Sequence, residues 1–212
     1  MPSTAWVVTI LAGAAVLHGQ KLDKLKFQNV HGDSTTYRTR TAIHLTAGAP
    51  TADGLAILKD SAFQDGTIEA DLAGAPGPGA ESAARGFIGI AFRVAAGGSK
   101  FELIYLRPTN GRADDQLRRN HSVQYESVPE WPWSRLRQET PGVYESYADL
   151  ETGAWTKVKI VVAGAKAKLY VNGAAEPCLI VNDLKLAPAK GAIGLWVGPG
   201  TDGYFSNLRI QP

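Results

Sequence analysis

Arginine, glutamate, histidine and tryptophan crowd one stretch of the chain, from Arg107 to Tyr147. It holds two of the five Trp, three of the seven Tyr and one of the four His. Aromatic rings stack on the apolar faces of pyranose rings, while Arg, Asn, Asp and Glu hydrogen-bond sugar hydroxyls. The chemistry these residues fit is therefore sugar handling. Trp131 and Trp133 flank Pro132, and Pro129 stiffens the same segment. One Trp is expected in a site and the other as a cap on the end of the fold. Arg118, Arg119, Asn120 and His121 form a compact polar cluster, with Arg135 and Arg137 further on. Six Arg from Arg107 to Arg137 outnumber Asp114, Asp115, Glu126 and Glu130. That balance favours uronates or sulfated sugars; internal salt bridges are the plainer explanation.

Cutting a glycosidic bond needs an acid and a base or nucleophile. Carboxyls ~5–5.5 Å apart suit retention, and ~6.5–9.5 Å inversion. Among Glu126, Glu130, Glu139 and Glu145, the expected catalytic pair is Glu126 and Glu145. His121 joins them as an acid/base whose reference pKa lies near neutrality. The expected sugar-contacting residues are Arg93, Tyr105, Arg107, Arg119, Asn120, Tyr125, Trp131, Trp133 and Arg137. The same residues fit binding and cleavage alike.

The elements that must position these residues read as short strands. In GTIEADL, Ile68, Ala70 and Leu72 alternate with Thr67, Glu69 and Asp71, the period of a half-buried strand. In GFIGIAFRV, Ile88, Ile90, Phe92 and Val94 share one face; Phe87, Gly89, Ala91 and Arg93 take the other. KFELIYLRP puts Phe101, Leu103, Tyr105 and Arg107 on one face and forms a hairpin with it. Arg93, Tyr105 and Arg107 are thus expected side by side on a surface kept clear by Gly89 and Ala91. After the Arg-rich stretch come AWTKVKIVVAG, AKAKLYVNG, PCLIVND, GAIGLWVG and DGYFSNLRI, with Asn172-Gly173 as a tight-turn signal. No segment keeps a helical apolar period. The expected fold is all-β: a two-sheet antiparallel β-sandwich with one long loop insertion.

A net charge of +2 gives no reason to expect nucleic acid or an acidic membrane as partner. The single Cys178 allows no intramolecular disulfide. His18, His31 and His44 do not cluster with His121, so zinc is not indicated. Trp6 to Leu17 is apolar and rich in small residues, and it is too short for a bilayer span of ~20 residues. It reads as the core of a secretory leader covering residues 1–19, before one domain at 20–212. The expected location is outside the cell or in the periplasm.

Taken in order, GTIEADL, RGFIGIAFRV, KFELIYLRP, W-TKVKIVV, AKLYVNG, GAIGLWVG and YFSNLRI resemble the concanavalin A-like lectin/glucanase jelly roll. The flavour is closest to LamG-type modules and the 3-keto-disaccharide hydrolase domain. The resemblance implies a ligand groove on the concave sheet, with an oligo- or polysaccharide as partner. It requires no cofactor, though it allows a structural Ca²⁺ near Asp65 or Asp202; each also reads as a plain turn, Asp-Gly. The glucanase E-x-D-x-x-E strand is missing: Glu69 and Asp71 are followed by no third acid. Three readings follow: a secreted carbohydrate-binding protein, a glycoside hydrolase of the 3-keto-disaccharide type acting through the 107–147 insertion, and a structural or adhesion module.

Overall fold

The computed structural model describes residues 15–16, 22–49 and 51–212. The expected leader lies outside them except for Ala15–Val16 (β1). The next strands in chain order are β2 Leu25–Gln28, β3 Val30–Tyr37, β4 Arg40–Ala47, β5 Gly54–Leu58 and β6 Gly66–Pro76. Then come the hairpin β7 Ile88–Val94 and β8 Phe101–Leu106, followed by β9 Val123–Val128 and β10 Glu145–Ser146. The last are β11 Thr156–Ala163, β12 Lys166–Val171, β13 Leu179–Val181, β14 Ala192–Val197 and β15 Thr201–Gln211.

These strands make two antiparallel sheets packed face to face. Sheet A runs β13-β12-β11-β6-β15-β4-β3, with β1 paired to β15; sheet B runs β10-β9-β8-β7-β14-β5-β2. The period-two pattern decides which side chains fill the space between them. From sheet A, Ile68, Ala70 and Leu72 point inward; from sheet B, Ile88, Ile90, Phe92, Ile104 and Leu106 meet them in one buried cluster. Cys178 packs against this cluster, and burial pushes its thiol up to about 11, where it is inert.

Two features differ from the sequence expectation. The 107–147 insertion is ordered structure. It carries α1 Pro108–Gly111, α2 Gln116–Asn120 and α3 Trp133–Glu139, and it adds β9 and β10 to the edge of sheet B. VQYESV alternates: Val123 and Tyr125 face the core, Gln124 and Glu126 the opposite side. Leu136 of α3 is buried in the same core and pins the helix to the sandwich.

The second difference is a β-bulge in β7. Ala91 pairs with Gly194 but Val94 pairs with Ala192, so β7 carries one extra residue. Arg93 takes φ 52° there. The bulge breaks the alternation that would place Arg93 beside Tyr105. Its side chain, 2% exposed, instead donates to the Gln64 carbonyl, to Asp65 Oδ1 and to the Gly164 carbonyl in the β11–β12 turn. Arg93 is thus a clasp between the sheets.

Candidate functional site

The outer face of sheet B carries a second apolar cluster, made by Leu55, Ile57, Ala91, Leu103, Tyr105 and Trp196 among others. One cross-strand row runs Leu55, Trp196, Gly89, Tyr105, Gln124, Glu145. Gly89 sits between two aromatic residues. A Cβ there would lie 2.5 Å from Tyr105 Cβ and 2.5 Å from the Ile104 carbonyl oxygen. With only hydrogen at that point, Tyr105 and Trp196 meet at 4.9 Å between ring centroids. They form, with Phe87, the floor of a cleft of about 700 Å³. That volume is in the range of small-molecule sites.

The insertion builds the wall. Trp133, the first residue of α3, is 43% exposed and stands over the cleft between two cations. The Arg137 guanidinium lies 4.8 Å from its ring centroid and that of Arg107 lies 5.6 Å away. Glu145, 6% exposed, gathers the basic side chains: Arg137 Nη2 at 2.6 Å, His121 Nε2 at 3.2 Å and Arg107 Nη1 at 3.8 Å. Arg137 Nε also donates to both carboxylate oxygens. Asn110 and Arg107 each donate to the His121 carbonyl and fix the loop that presents the imidazole. Partial burial lowers the pKa of His121 and outweighs the opposing pull of Glu145; Arg137 and Arg107 lower it further.

Glu126 faces the cleft from β9. The Tyr105 hydroxyl donates to its Oε1 at 2.7 Å and accepts from Arg107 Nη2 at 2.8 Å. Burial pushes Glu126 up to about 7, against the hydrogen bond from Tyr105; the Asp53 carboxyl raises it further, and Arg107 pulls it down. Asp53 lines the opposite side and is itself raised, chiefly by desolvation in the cleft. Asp53 stands on the exposed rim of the cleft. The Trp196 indole N–H is buried without a hydrogen-bond partner of good geometry, though it acts weakly on Asp53. Arg85 and Arg118 complete the rim.

The structure thus gathers Tyr105, Arg107, His121, Glu126, Trp133 and Arg137 at one cleft, with Glu145 directly behind. It does not bring the other expected residues there. Tyr125 points into the core, donating to Glu102 and accepting from the Lys185 main chain. Trp131 packs on the core with Arg135 and Lys185 over its ring, the cap role expected of one of the two Trp. Arg119 leaves the cleft to meet the Tyr147 hydroxyl, and Asn120 accepts from Gln116 on the exposed side of α2. Arg93 is the clasp described above.

The Ca²⁺ candidates are likewise engaged. Asp65 holds Arg93 and the Gly164 N–H, while Asp202 holds His44 and the Tyr204 hydroxyl. Among the described residues no group of three or more His, Cys, Asp or Glu is placed to hold a metal ion. No described helix is long and apolar enough to cross a membrane.

Sequence reasoning missed Asp53, Arg85, Asn110 and Trp196. Trp196 was readable: Ile193, Leu195 and Val197 alternate with Gly194 and Trp196, so the indole had to face outward. Asp53 and Arg85 sit in loops far apart in the chain, and no local pattern marks them.

No family model matches the chain, and a search of curated proteins finds no match. Solved structures do share its fold. The carbohydrate-binding module CBM66 from Bacillus subtilis is 14% identical, covers 87% of this chain and 95% of its own, and has a TM-score of 0.59. The exoplasmic/lumenal domain of VIP36, in a form bound to Ca²⁺ and Man3GlcNAc, is 13% identical, covers 91% of this chain and 85% of its own, and has a TM-score of 0.56. A Parabacteroides distasonis protein, provisionally described as a glycosyl hydrolase, is 13% identical, covers 94% of this chain and 98% of its own, and has a TM-score of 0.58. The common property is the fold, a two-sheet jelly-roll β-sandwich.

Proposed function

We propose that this chain binds a carbohydrate on the outer face of sheet B, in the cleft between that sheet and the insertion. The observation that carries the reading is the half-exposed Trp133 ring above an aromatic floor of Tyr105 and Trp196. Such rings offer flat apolar faces to a pyranose, and the surrounding Arg, Asn and His groups offer donors to its hydroxyls. The fold is shared with a carbohydrate-binding module and with a glycan-bound lumenal domain, which agrees with this use. A pocketless face would have favoured adhesion to protein. The apolar N-terminal run makes secretion or a periplasmic location part of the same proposal.

Trp133→Ala is expected to weaken binding of the preferred oligosaccharide by about two- to tenfold or more, since one ring–ligand stack is worth roughly 0.5–1.5 kcal/mol on top of the apolar area it covers. Calorimetric titration after a glycan-array screen measures it. Unchanged affinity in the variant would move the site elsewhere.

A second reading is favoured by the pair Glu126 and Asp53. Both carboxyls face one cleft with raised pKa values, the property required of a general acid near neutrality. Hydrolysis of the 3-keto-disaccharide type would use this pair, since the oxygens of Glu145 are already taken by Arg137 and His121. Chromatography of the same incubations, extended to 3-keto disaccharides, decides it: released sugar supports cleavage, and intact ligand leaves binding alone.

A further inference from the structure

Four arginines line one cleft, and they are not equally neutralised. Arg137 holds Glu145 with two nitrogens, and Arg107 approaches the same carboxylate while bonding Tyr105. Glu145 is fully used by these groups and His121. Other arginines of the insertion are spoken for outside the cleft: Arg112 by Asp149 and Glu151, Arg135 by Glu139. These are the internal salt bridges that make a positive stretch unremarkable.

Arg85 and Arg118 escape that explanation. The half-buried Arg85 donates only to the carbonyls of Ser82 and Ala84. The Arg118 guanidinium reaches only Asn110 Oδ1, at 3.5 Å. Neither has a carboxylate partner among the described residues. Burial, and then repulsion from Arg118 and Arg107, holds the Arg85 guanidinium below its usual value, so like charges converge here without a counterion. Three acids share the cleft lining, Glu81, Asp53 and Glu126; Asp53 raises Glu126, and none of the three is among the charges felt by Arg85.

From this convergence we infer that the cleft takes a sugar bearing an anionic substituent, a carboxylate or a sulfate, seated between Arg85 and Arg118 beside Arg107. The inference rests on the carbohydrate reading above and names the class of ligand. The chemistry is direct. A planar guanidinium presents paired N–H donors that match two oxygens of a carboxylate or sulfate. Held near one another, the like charges become less costly once an anion joins them. The aromatic floor holds the ring of the sugar while the rim arginines hold its charge.

The test is a calorimetric comparison of three oligosaccharide sets of matched length: neutral galactosides, galacturonides and sulfated galactosides. One anionic set is expected to bind at least tenfold more tightly than the neutral set, with affinity falling as salt is raised. Which anionic set wins separates a carboxylate ligand from a sulfate ligand. In Arg85→Gln and Arg118→Gln the ratio of anionic to neutral affinity is expected to fall toward one, with Arg118→Lys restoring part of it. Trp133→Ala is expected to lower both affinities and leave the ratio. Arg118 is exposed, so its variants should fold, and circular dichroism checks this. Neutral sugars binding as well as charged ones would overturn the inference while leaving the carbohydrate reading intact. Anionic preference insensitive to both glutamine variants would overturn the placement. No binding by any set would overturn both.

Discussion

Glu126 shows how much of the site is decided by one side chain's surroundings. It is 8% exposed, and burial is the largest influence on it. Tyr105, Arg107 and the Trp133 main chain favour its ionised form, while Asp53 opposes it, and the balance leaves it at about 7. The folded value lies above the ordinary 4.5. Its contribution to stability is therefore fully present below about pH 4.5 and lost as the pH rises through about 7. At 1.36 kcal/mol per unit, the full swing is at most about 3 kcal/mol. Glu126→Gln is expected to flatten the fall of unfolding free energy over that window, read from urea midpoints at several pH values. Parallel profiles for the two proteins would show that Glu126 ionises normally. Tyr105 and Arg107 were legible by alternation along one strand, and Glu126 only as an acid of the insertion. The raised pKa was not, because it depends first on burial that only the folded insertion supplies, and then on Asp53, which reaches the cleft from a loop more than one strand away in the sheet order.

At the scale of elements, the cleft depends on the hairpin β7–β8 and on what the insertion lays over it. The outward face of this hairpin was readable from the alternation of KFELIYLRP, and Tyr105 and Arg107 lie on that face. Arg93 followed the same count and departs from it, because a bulge adds a residue and φ turns positive. Nothing in the local sequence announces that bulge, since Gly191, whose missing Cβ makes room for the Arg93 main chain, lies on another strand's approach. The insertion was recognisable by composition, whereas its β9 was hidden in VQYESV, short enough to pass for a loop. Gly89 is a point of close approach between β7 and β8. Gly89→Ala is expected to cost about 1–3 kcal/mol by overpacking. The added methyl meets main chain and Tyr105 Cβ, which cannot swing aside. The Tyr105–Glu126 hydrogen bond should loosen with it. Urea unfolding and the near-ultraviolet circular dichroism of the aromatic floor measure both effects, and an unshifted midpoint would contradict the packing described.

For the molecule as a whole, the two sheets and the insertion share one interior. Leu72 from sheet A, Ile90 from sheet B and Leu136 from α3 belong to a single buried cluster. Arg93 ties the end of sheet B to the β11–β12 turn of sheet A. A sandwich of this kind was legible because period-two patterns recur along most of the chain, and each demands a partner face. The order in which strands neighbour one another was not: β6 pairs with β11 and β15, far along the sequence, and only the folded chain reveals it. Shared burial has a thermodynamic consequence. Leu72 is 2% exposed in β6, between β11 and β15, so Leu72→Ala should remove about 2–5 kcal/mol. Because the insertion buries Leu136 in that same core, it should have no stability of its own. Far-ultraviolet circular dichroism reports the sheets, and tryptophan fluorescence includes Trp131 and Trp133 of the insertion. In the parent and in Leu72→Ala, the two signals should give superimposable urea transitions, both displaced to lower urea in the variant. A fluorescence transition preceding the loss of sheet would mean that the cleft wall opens independently of the sandwich, and that the site is assembled only part of the time.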